Sequence, residues 1–184
     1  MLGILKIVVL IIFCHPFISD SLAASIENMQ LLGKGEAYYL KFFKVYDAAL
    51  YSEPLAENEN ILDDDVSKCL HLKYSVGVDR DDFITAANTI LTRQYSSEQL
   101  RQVSTELDML HSGYKDVEKG DSYTLCYSET TETTSLAFNG GKVVSVTSPA
   151  FAEMYFSIWL GNTSPLDEKL RNNLLSKIAG TREE

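Results

Sequence analysis

The chain has 184 residues, a formal net charge of −10 at pH 7 and an isoelectric point near 4.7. A domain of about 150 residues buries roughly 68–70% of its unfolded surface, so this length supports one hydrophobic core rather than two. The acidic charge argues against nucleic acid and anionic membrane surfaces as partners, because both are bound through clustered lysine and arginine.

The N-terminus has the layout of a secretory signal peptide. Lys6 supplies the positive charge, Ile7–Phe13 forms a short apolar run, and Ser21 and Ala23 are small residues at a cleavage site. The run is shorter than the roughly 20 residues that span a bilayer. We therefore expect residues 1–23 to be removed and residues 24–184 to form one exported domain, periplasmic or secreted, without stable membrane insertion. An uncleaved membrane anchor is the alternative interpretation.

Strands dominate the first part of the mature chain. Residues 31–51 are rich in aromatic and apolar side chains, which suits strands, and Gly33 and Gly35 allow a bend at their start. The acidic and asparagine-rich segment Glu53–Asp65 is typical of a solvated loop. Alternating apolar residues in Cys69–Val78 predict another strand.

Two helices follow this strand. Arg80–Arg93 carries an apolar stripe at helical spacing, and Asp79 before it is a suitable N-cap. Ser96 and Gln99 form a capping box, which predicts a second helix that ends at Gly113.

A hairpin comes next. The sequence predicts strands at Asp121–Ser128 and Thr133–Phe138. Asn139-Gly140 is a strong two-residue turn signal, and it sends the chain back along Lys142–Thr147.

Two Ser-Pro pairs predict the last two helices. Ser148-Pro149 and Ser164-Pro165 each place an N-cap before a proline at the first helical position. The second helix has apolar residues at helical spacing: Leu166, Leu170, Leu174 and Ile178. Strands, two helices, a hairpin and two more helices predict an α+β fold, an antiparallel sheet covered by helices.

The mature chain keeps two cysteines, and both lie in predicted strands. Cys69 and Cys126 are on the faces opposite their apolar neighbours, so they could meet across a sheet. Export would allow them to form a disulfide. Two small buried hydrophobic residues are the alternative.

Sequence motifs for a metal or a cofactor are missing, and we expect neither. His71 and His111 lie in different elements, and a lone histidine is usually structural. The run Asp63–Asp65 fits a solvated loop, because the spaced ligand pattern of a Ca²⁺ loop is absent.

Aromatic residues recur every four positions in the helix that follows Pro149. They are Phe151, Tyr155 and Trp159, and they share one helix face. Packing against the sheet explains this stripe. The alternative is that part of it lines a cleft for a flat or chain-like apolar ligand.

A set of short motifs, in order along the chain, resembles the chalcone isomerase-like proteins. The set comprises Gly33-Lys34-Gly35, Phe43–Tyr51, Lys119-Gly120-Asp121, Asn139-Gly140, Ile158–Gly161 and the Leu170–Leu175 helix. It covers nearly all of the mature chain and is most similar to the bacterial branch, which is commonly exported. The resemblance implies an open-faced β-sandwich, with a large antiparallel sheet and a layer of helices on one face.

The resemblance also implies a cleft between sheet and helices. The plant enzymes of the family cyclise chalcones there, and other relatives bind fatty acids without known catalysis. In both, an arginine after the Gly-x-Gly strand matters, because a guanidinium can hold a phenolate, an enolate or a carboxylate.

This chain departs from the family pattern at most of the matching positions. Ala37 stands in place of the arginine, Tyr46 in place of a strand threonine, Asp81 in place of a helix tyrosine and Ala152 in place of a hydroxyl residue; Asn88 keeps the family asparagine. Losing the arginine argues against chalcone cyclisation, because an anion in an apolar cleft is costly without a partner.

Three functions remain open. The first is a non-catalytic protein that binds a fatty acid or another apolar small molecule through Tyr46, Asn88, Tyr155 and Trp159. The second is an isomerase or intramolecular lyase with altered active-site residues. The third is an interaction protein with a packed interior.

Overall fold

A computed structural model describes residues 26–56 and 59–180, and within these residues the chain forms a six-stranded antiparallel sheet. Each strand pairs with the next one along the chain, so the sheet is a meander. The strands are β1 (Gln30–Tyr39), β2 (Phe43–Ser52), β3 (Lys68–Tyr74), β4 (Ser122–Ser128), β5 (Thr133–Phe138) and β6 (Gly141–Thr147). The signal-peptide prediction lies outside the described residues.

The helices contribute to one core on a single face of the sheet. They are α1 (Arg80–Gln94), α2 (Ser97–Gln102), α3 (Ser104–Ser112), α4 (Pro149–Leu160), α5 (Glu168–Leu174) and α6 (Ser176–Gly180). Leu70 and Leu125 of the sheet share this core with Ile90, Leu110 and Phe156 of the helices. The other face is largely open, which confirms the open-faced arrangement. No helix in the described part of the chain is long and apolar enough to cross a membrane.

A disulfide joins Cys69 and Cys126 on the open face. The two residues lie directly opposite one another on β3 and β4, 57 positions apart in sequence. Ala137, Met29 and Tyr51 pack around the bond. Strand alternation explains the pairing, because both residues point away from the face that carries the leucines and tyrosines.

The helix that begins after Ser96 is shorter than the sequence predicts. The Ser96 side chain accepts the Gln99 backbone N–H, and the Gln99 side chain accepts the Ser96 N–H, so the capping box is confirmed. The predicted single helix is nevertheless interrupted at Val103, whose ψ of 17° lies outside the helical range, and it forms α2 and α3.

The second Ser-Pro pair does not begin a helix, so that prediction is wrong. Ser164 has a φ of +44°, and the helix begins at Glu168 with Asp167 as its N-cap. The Leu166 N–H is bonded to the Ile158 carbonyl at 2.7 Å, which ties this segment to the end of α4. Tertiary contact therefore overrides the local signal. The first pair is confirmed, since Ser148 accepts the Phe151 N–H at 3.2 Å.

Two glycines of β1 allow α5 to lie directly on the sheet. A Cβ atom at Gly33 would overlap the backbone carbonyl oxygens of Asn173 and Leu174, and one at Gly35 would meet the Leu170 side chain at 2.6 Å. These positions were expected to permit a bend. A register shift does lie between Leu31 and Gly33, but the close approach of α5 is the stronger constraint.

The acidic segment before β3 is fixed in place by a buried lysine. Lys68 is fully buried, and its Nζ donates to the Asp63 carbonyl at 2.7 Å and to the Val66 carbonyl at 3.1 Å. The Tyr127 hydroxyl donates to the Asp64 carbonyl at 2.9 Å. Burial lowers the pKa of Lys68 to about 8. The segment is therefore anchored through its backbone rather than being only a solvated loop.

Candidate apolar binding cleft

A cleft of about 630 Å³ lies between the sheet and the helices α1 and α4. Its volume is within the range of sites for small organic ligands. Aliphatic side chains from all three elements form much of its wall: Leu72, Leu125, Leu136, Ala87, Ile90 and Ile158. Inward-facing side chains of the strands lie opposite the inner faces of α1 and α4, and they leave part of the space between them unfilled.

Aromatic rings form the rest of the wall. Tyr74 is central, with its ring 5.4 Å from Tyr46, 5.5 Å from Phe83 and 6.2 Å from Tyr123, each in an edge-on arrangement. Phe83 also stacks on Tyr114 at 5.3 Å. Such contacts fix the rings in position, and therefore the cleft has a preformed shape.

The Tyr46 hydroxyl can donate a hydrogen bond to a ligand in the cleft. The Trp159 Nε1–H donates to the Tyr46 hydroxyl at 3.0 Å, so Tyr46 keeps its own proton to donate. Burial raises the pKa of Tyr46 above its ordinary value. The group is therefore a neutral hydrogen-bond donor at physiological pH, and it is unsuited to act as a base.

Two more hydroxyl sites line the cleft. The hydroxyls of Tyr114 and Tyr155 are 2.7 Å apart, and whichever donates leaves the other proton free. Burial raises the pKa of Tyr155 and of Tyr74 well above the ordinary value. Tyr46, Tyr74 and one hydroxyl of the Tyr114–Tyr155 pair thus offer neutral donors in an apolar surface.

The cleft wall carries no cation. Among its described lining residues none is Lys, Arg or His, and the acids are Asp82 and Asp167, both exposed. Asp167 also accepts the Leu170 N–H as the cap of α5. The site can hold an apolar molecule with a neutral oxygen group, but it offers no counter-charge to an anion.

Three of the four predicted ligand-binding residues are brought together in this cleft. Tyr46, Tyr155 and Trp159 are buried and line it. Ala37, which the sequence resemblance predicts to stand in place of an arginine, lines it as well and pairs with Tyr46 across β1 and β2. Phe151 is fully buried outside the cleft and stacks on Tyr155 at 5.3 Å, so it packs the core.

The fourth predicted residue, Asn88, lies apart from the other three. This residue is exposed on α1 and does not line the cleft, whereas Ala87 and Ile90 point inward. Successive helix residues diverge by about 100°, so a helix that presents Ala87 turns Asn88 toward solvent. Asp81 is exposed too, and Ala152 is buried outside the cleft.

Three cleft residues were not identified as a site from sequence. Tyr74 and Phe83 were assigned to a strand face and a helix stripe, so their burial was predictable but their place in a cleft was not. Tyr114 follows the end of α3 and has no periodic signal. Only the fold brings its ring onto Phe83.

The two histidines lie apart from each other, and neither lines the cleft. His71 Nδ1 is 2.9 Å from the Thr124 Oγ1, and His111 is buried against the rings of Tyr114 and Tyr155 with Nε2 unpartnered. Burial lowers the pKa of both imidazoles, so both are neutral at pH 7. Among the described residues no cluster of His, Cys, Asp and Glu could hold a metal ion.

A larger hollow of about 1110 Å³ lies beside β1 and extends onto the open face. Its wall carries charges of both signs, including Lys34, Lys73, Glu36 and Asp47. Lys44 bridges Glu36 at 2.9 Å and Asp47 at 2.5 Å, so part of this charge is already paired. The hollow is a polar surface feature and a poorer site for an apolar ligand.

Comparison with known proteins agrees with this architecture. A family model described as chalcone isomerase-like matches residues 17–176. Among solved structures, a fatty-acid binding protein of Arabidopsis thaliana has a TM-score of 0.64 at 17% sequence identity, covering 86% of this chain and 92% of that chain. At this identity the likeness concerns the fold. None of the curated protein sequences compared gives a significant match.

Proposed function

Because the chain belongs to the chalcone isomerase-like family, we propose that it is a non-catalytic protein that binds an apolar, chain-like small molecule in the cleft between sheet and helices. The observation that carries the proposal is the wall of the cleft, which is apolar and aromatic, with neutral hydroxyl donors at Tyr46, at Tyr74 and at one of the paired Tyr114 and Tyr155. A solved structure with the same fold is that of a fatty-acid binding protein, which supports a ligand of this class.

The same wall argues against catalysis by proton transfer. A general base must be able to give up its own proton near neutral pH, and burial raises the pKa of Tyr46 and Tyr155 instead. Ala37 provides no guanidinium to stabilise an enolate or a phenolate. An isomerase with altered residues is therefore the weaker candidate.

The head group of the ligand is expected to be uncharged when bound. A carboxylate moved from water into this cleft loses its hydration and meets no cation among the lining residues. A fatty alcohol, or a fatty acid in its protonated form, keeps its hydrogen bonds by accepting from tyrosine hydroxyls. The cleft is thus expected to select ligands by the charge of the head group as well as by chain length.

Titration with matched lipids tests this proposal. The chain contains one tryptophan, Trp159, whose indole lines the cleft, so its fluorescence reports on this site. At pH 7.5 we expect a fatty alcohol to bind roughly tenfold tighter than the carboxylate of equal chain length, and we expect the acid to gain affinity as the pH falls toward 5. A flat fluorescence response from folded protein, across chain lengths and both head groups, would contradict the binding function.

Two variants locate the binding in the cleft. Tyr46→Phe removes a donor to the ligand and should weaken alcohol binding by about 3- to 10-fold, the effect of one neutral hydrogen bond. Asn88→Ala changes an exposed residue of α1 and should leave the affinity unchanged. Equal losses in the two variants would place the ligand elsewhere.

We also propose that the protein acts after export, in the periplasm or outside the cell. The sequence of residues 1–23 and the disulfide between Cys69 and Cys126 support this location, because disulfides persist in oxidising compartments.

Protein recovered from the periplasm of an expressing bacterium is expected to begin at Ala24. When unfolded without reductant it should take up no thiol-alkylating reagent, and it should take up two equivalents after reduction. A Cys69→Ser variant should expose one reactive thiol before reduction. Two reactive thiols in the unreduced parent protein would contradict the disulfide.

A further inference from the structure

Large apolar side chains are exposed at the turn between β1 and β2. We call residues 39–43 the apical turn. Tyr39, Leu40 and Phe43 are each about two-thirds exposed, and Phe42 is 83% exposed. The remaining residue, Lys41, is also exposed. Scattered exposed apolar residues are ordinary, but four of five consecutive positions form a patch.

The apical turn is held in a strained conformation. The Phe42 N–H donates to the Tyr39 carbonyl at 3.2 Å, and Leu40 and Lys41 have φ values of 50° and 65°. Glycine and asparagine are the residues that adopt positive φ values readily. Leu40 and Lys41 therefore keep large side chains outward at a cost to folding, which is a pattern associated with functional sites.

The apical turn is continuous with the mouth of the cleft. Tyr39 and Phe43 of the turn line the cleft, as does the neighbouring Tyr38. Val76 and Leu166 are further exposed apolar residues of the cleft wall. The exposed apolar residues of the turn therefore adjoin those of the cleft wall.

The chemistry of the turn fits a lipid surface. Its shape is a convex hairpin tip, which can enter the interfacial region of a bilayer without a matching pocket. Tyrosine, phenylalanine and leucine beside a lysine can bury their apolar parts while the ammonium of Lys41 and the Tyr39 hydroxyl stay in the polar layer. The charge of −10 on the whole chain opposes an anionic surface, so the charges favour a zwitterionic one.

We propose that the apical turn docks the protein on the surface of a zwitterionic lipid bilayer, with the mouth of the cleft facing the lipid. The passage of a ligand between bilayer and cleft rests on the proposed function, whereas the docking itself does not.

Sedimentation with phosphatidylcholine vesicles tests the docking. The protein as purified from its host is compared with variants that carry the same N-terminus, so any contribution of the first 23 residues is common to all. Phe42→Ser should weaken vesicle binding by about tenfold or more, because a large apolar side chain is lost from the inserted tip. Met109→Ser, which removes an exposed apolar side chain on α3, should change binding less than twofold.

A second variant guards against misfolding. Leu40→Asn places a residue that favours positive φ at the strained position, so it should fold at least as well and still bind vesicles several-fold more weakly. Parent protein that does not sediment with millimolar phosphatidylcholine, or a Phe42→Ser variant that sediments like the parent, overturns the proposal. So does a parent dimer that Phe42→Ser converts to a monomer without any lipid effect, because the turn would then contact a second copy of the chain.

The membrane docking and the ligand binding can be tested independently of each other. In the absence of vesicles, Phe42→Ser should bind a short-chain fatty alcohol with the parent affinity by Trp159 fluorescence, because Phe42 does not line the cleft. Vesicle binding that depends on Phe42 in a protein whose cleft binds no lipid supports the docking and removes the ligand function. Ligand binding without vesicle binding supports the ligand function and removes the docking.

Discussion

The protein is expected to unfold cooperatively when the pH is raised above about 11, because the cleft tyrosines cannot ionise while they are buried. Tyr46, Tyr74 and Tyr155 are almost fully buried, and loss of hydration raises the pKa of each. In the unfolded chain the same side chains ionise near pH 10.

The direction of this effect follows from proton binding. Above pH 10 the unfolded chain has released the tyrosine protons and the folded chain has kept them, so stability falls as the pH rises. Each tyrosine contributes about 1.4 kcal/mol per pH unit, and Tyr114, whose pKa burial also raises, brings the number to four, or roughly 5.5 kcal/mol per unit. A typical stability of 5–15 kcal/mol is then exhausted between roughly pH 11 and 13.

The titration of Lys68 changes the folding stability in the opposite direction, and it does so at lower pH. Burial lowers its folded pKa to about 8, below its unfolded value of about 10.4. Between these values the unfolded chain binds a proton that the folded chain does not, so this group makes stability rise with pH. The alkaline loss therefore cannot come from Lys68, and the stability maximum is expected on the alkaline side of neutrality.

Tyrosinate absorbance near 295 nm and far-UV circular dichroism measure the transition together. The buried tyrosines should ionise in the same step in which secondary structure is lost. Tyr74→Phe should reduce the steepness of the alkaline loss by about a quarter, whereas Tyr39→Phe, at an exposed position, should not change it. Complete tyrosine ionisation near pH 10 with intact secondary structure would contradict the burial of these hydroxyls.

Most of the sheet could be predicted from sequence because strand alternation is a local property. The pattern in Cys69–Val78 predicted the inward side chains of β3 correctly, and it put Cys69 on the opposite face, but the strand ends at Tyr74 and Val76 is exposed. The turn at Asn139-Gly140 is confirmed for the same reason, since Asn139 and Gly140 both have positive φ. The helix start predicted at Ser164-Pro165 is wrong because the hydrogen bond between Leu166 and Ile158 is a contact between elements, and no local sequence pattern encodes it.

The cleft was harder to predict than the fold. Tyr155 and Trp159 share a helix face, so periodicity could bring them together, but it could not distinguish a packed core from an open cleft. Asn88 was assigned by its place in a family pattern, and an error of one helical position is enough to turn a side chain to solvent. The hydrogen bond from Trp159 to Tyr46 joins residues 113 positions apart and depends wholly on the tertiary fold.

Restoring an arginine at position 37 is expected to reverse the ligand preference of the cleft. Ala37 lines the cleft beside Tyr46, and its Cβ marks the place from which a guanidinium could reach a bound head group. A charged hydrogen bond contributes about 1.5–3 kcal/mol, which is a gain of roughly 10- to 100-fold for a carboxylate. Because the parent is expected to bind the alcohol about tenfold tighter, the Ala37→Arg variant should bind a fatty acid at pH 7.5 between equally well and about tenfold tighter than the alcohol of equal chain length.

The uncharged variant Ala37→Met is the matched control, because it fills comparable space without a charge and should weaken acid and alcohol alike. In the absence of ligand, a buried guanidinium is costly, so Ala37→Arg should lower the Tm and fatty acid should restore it. Asp82 and Asp167 at the edge of the cleft are the competing partners for the new cation. An Ala37→Arg protein that keeps its Tm and still prefers the alcohol would show that the guanidinium turns to these carboxylates, and that the head group of the ligand does not lie beside Tyr46.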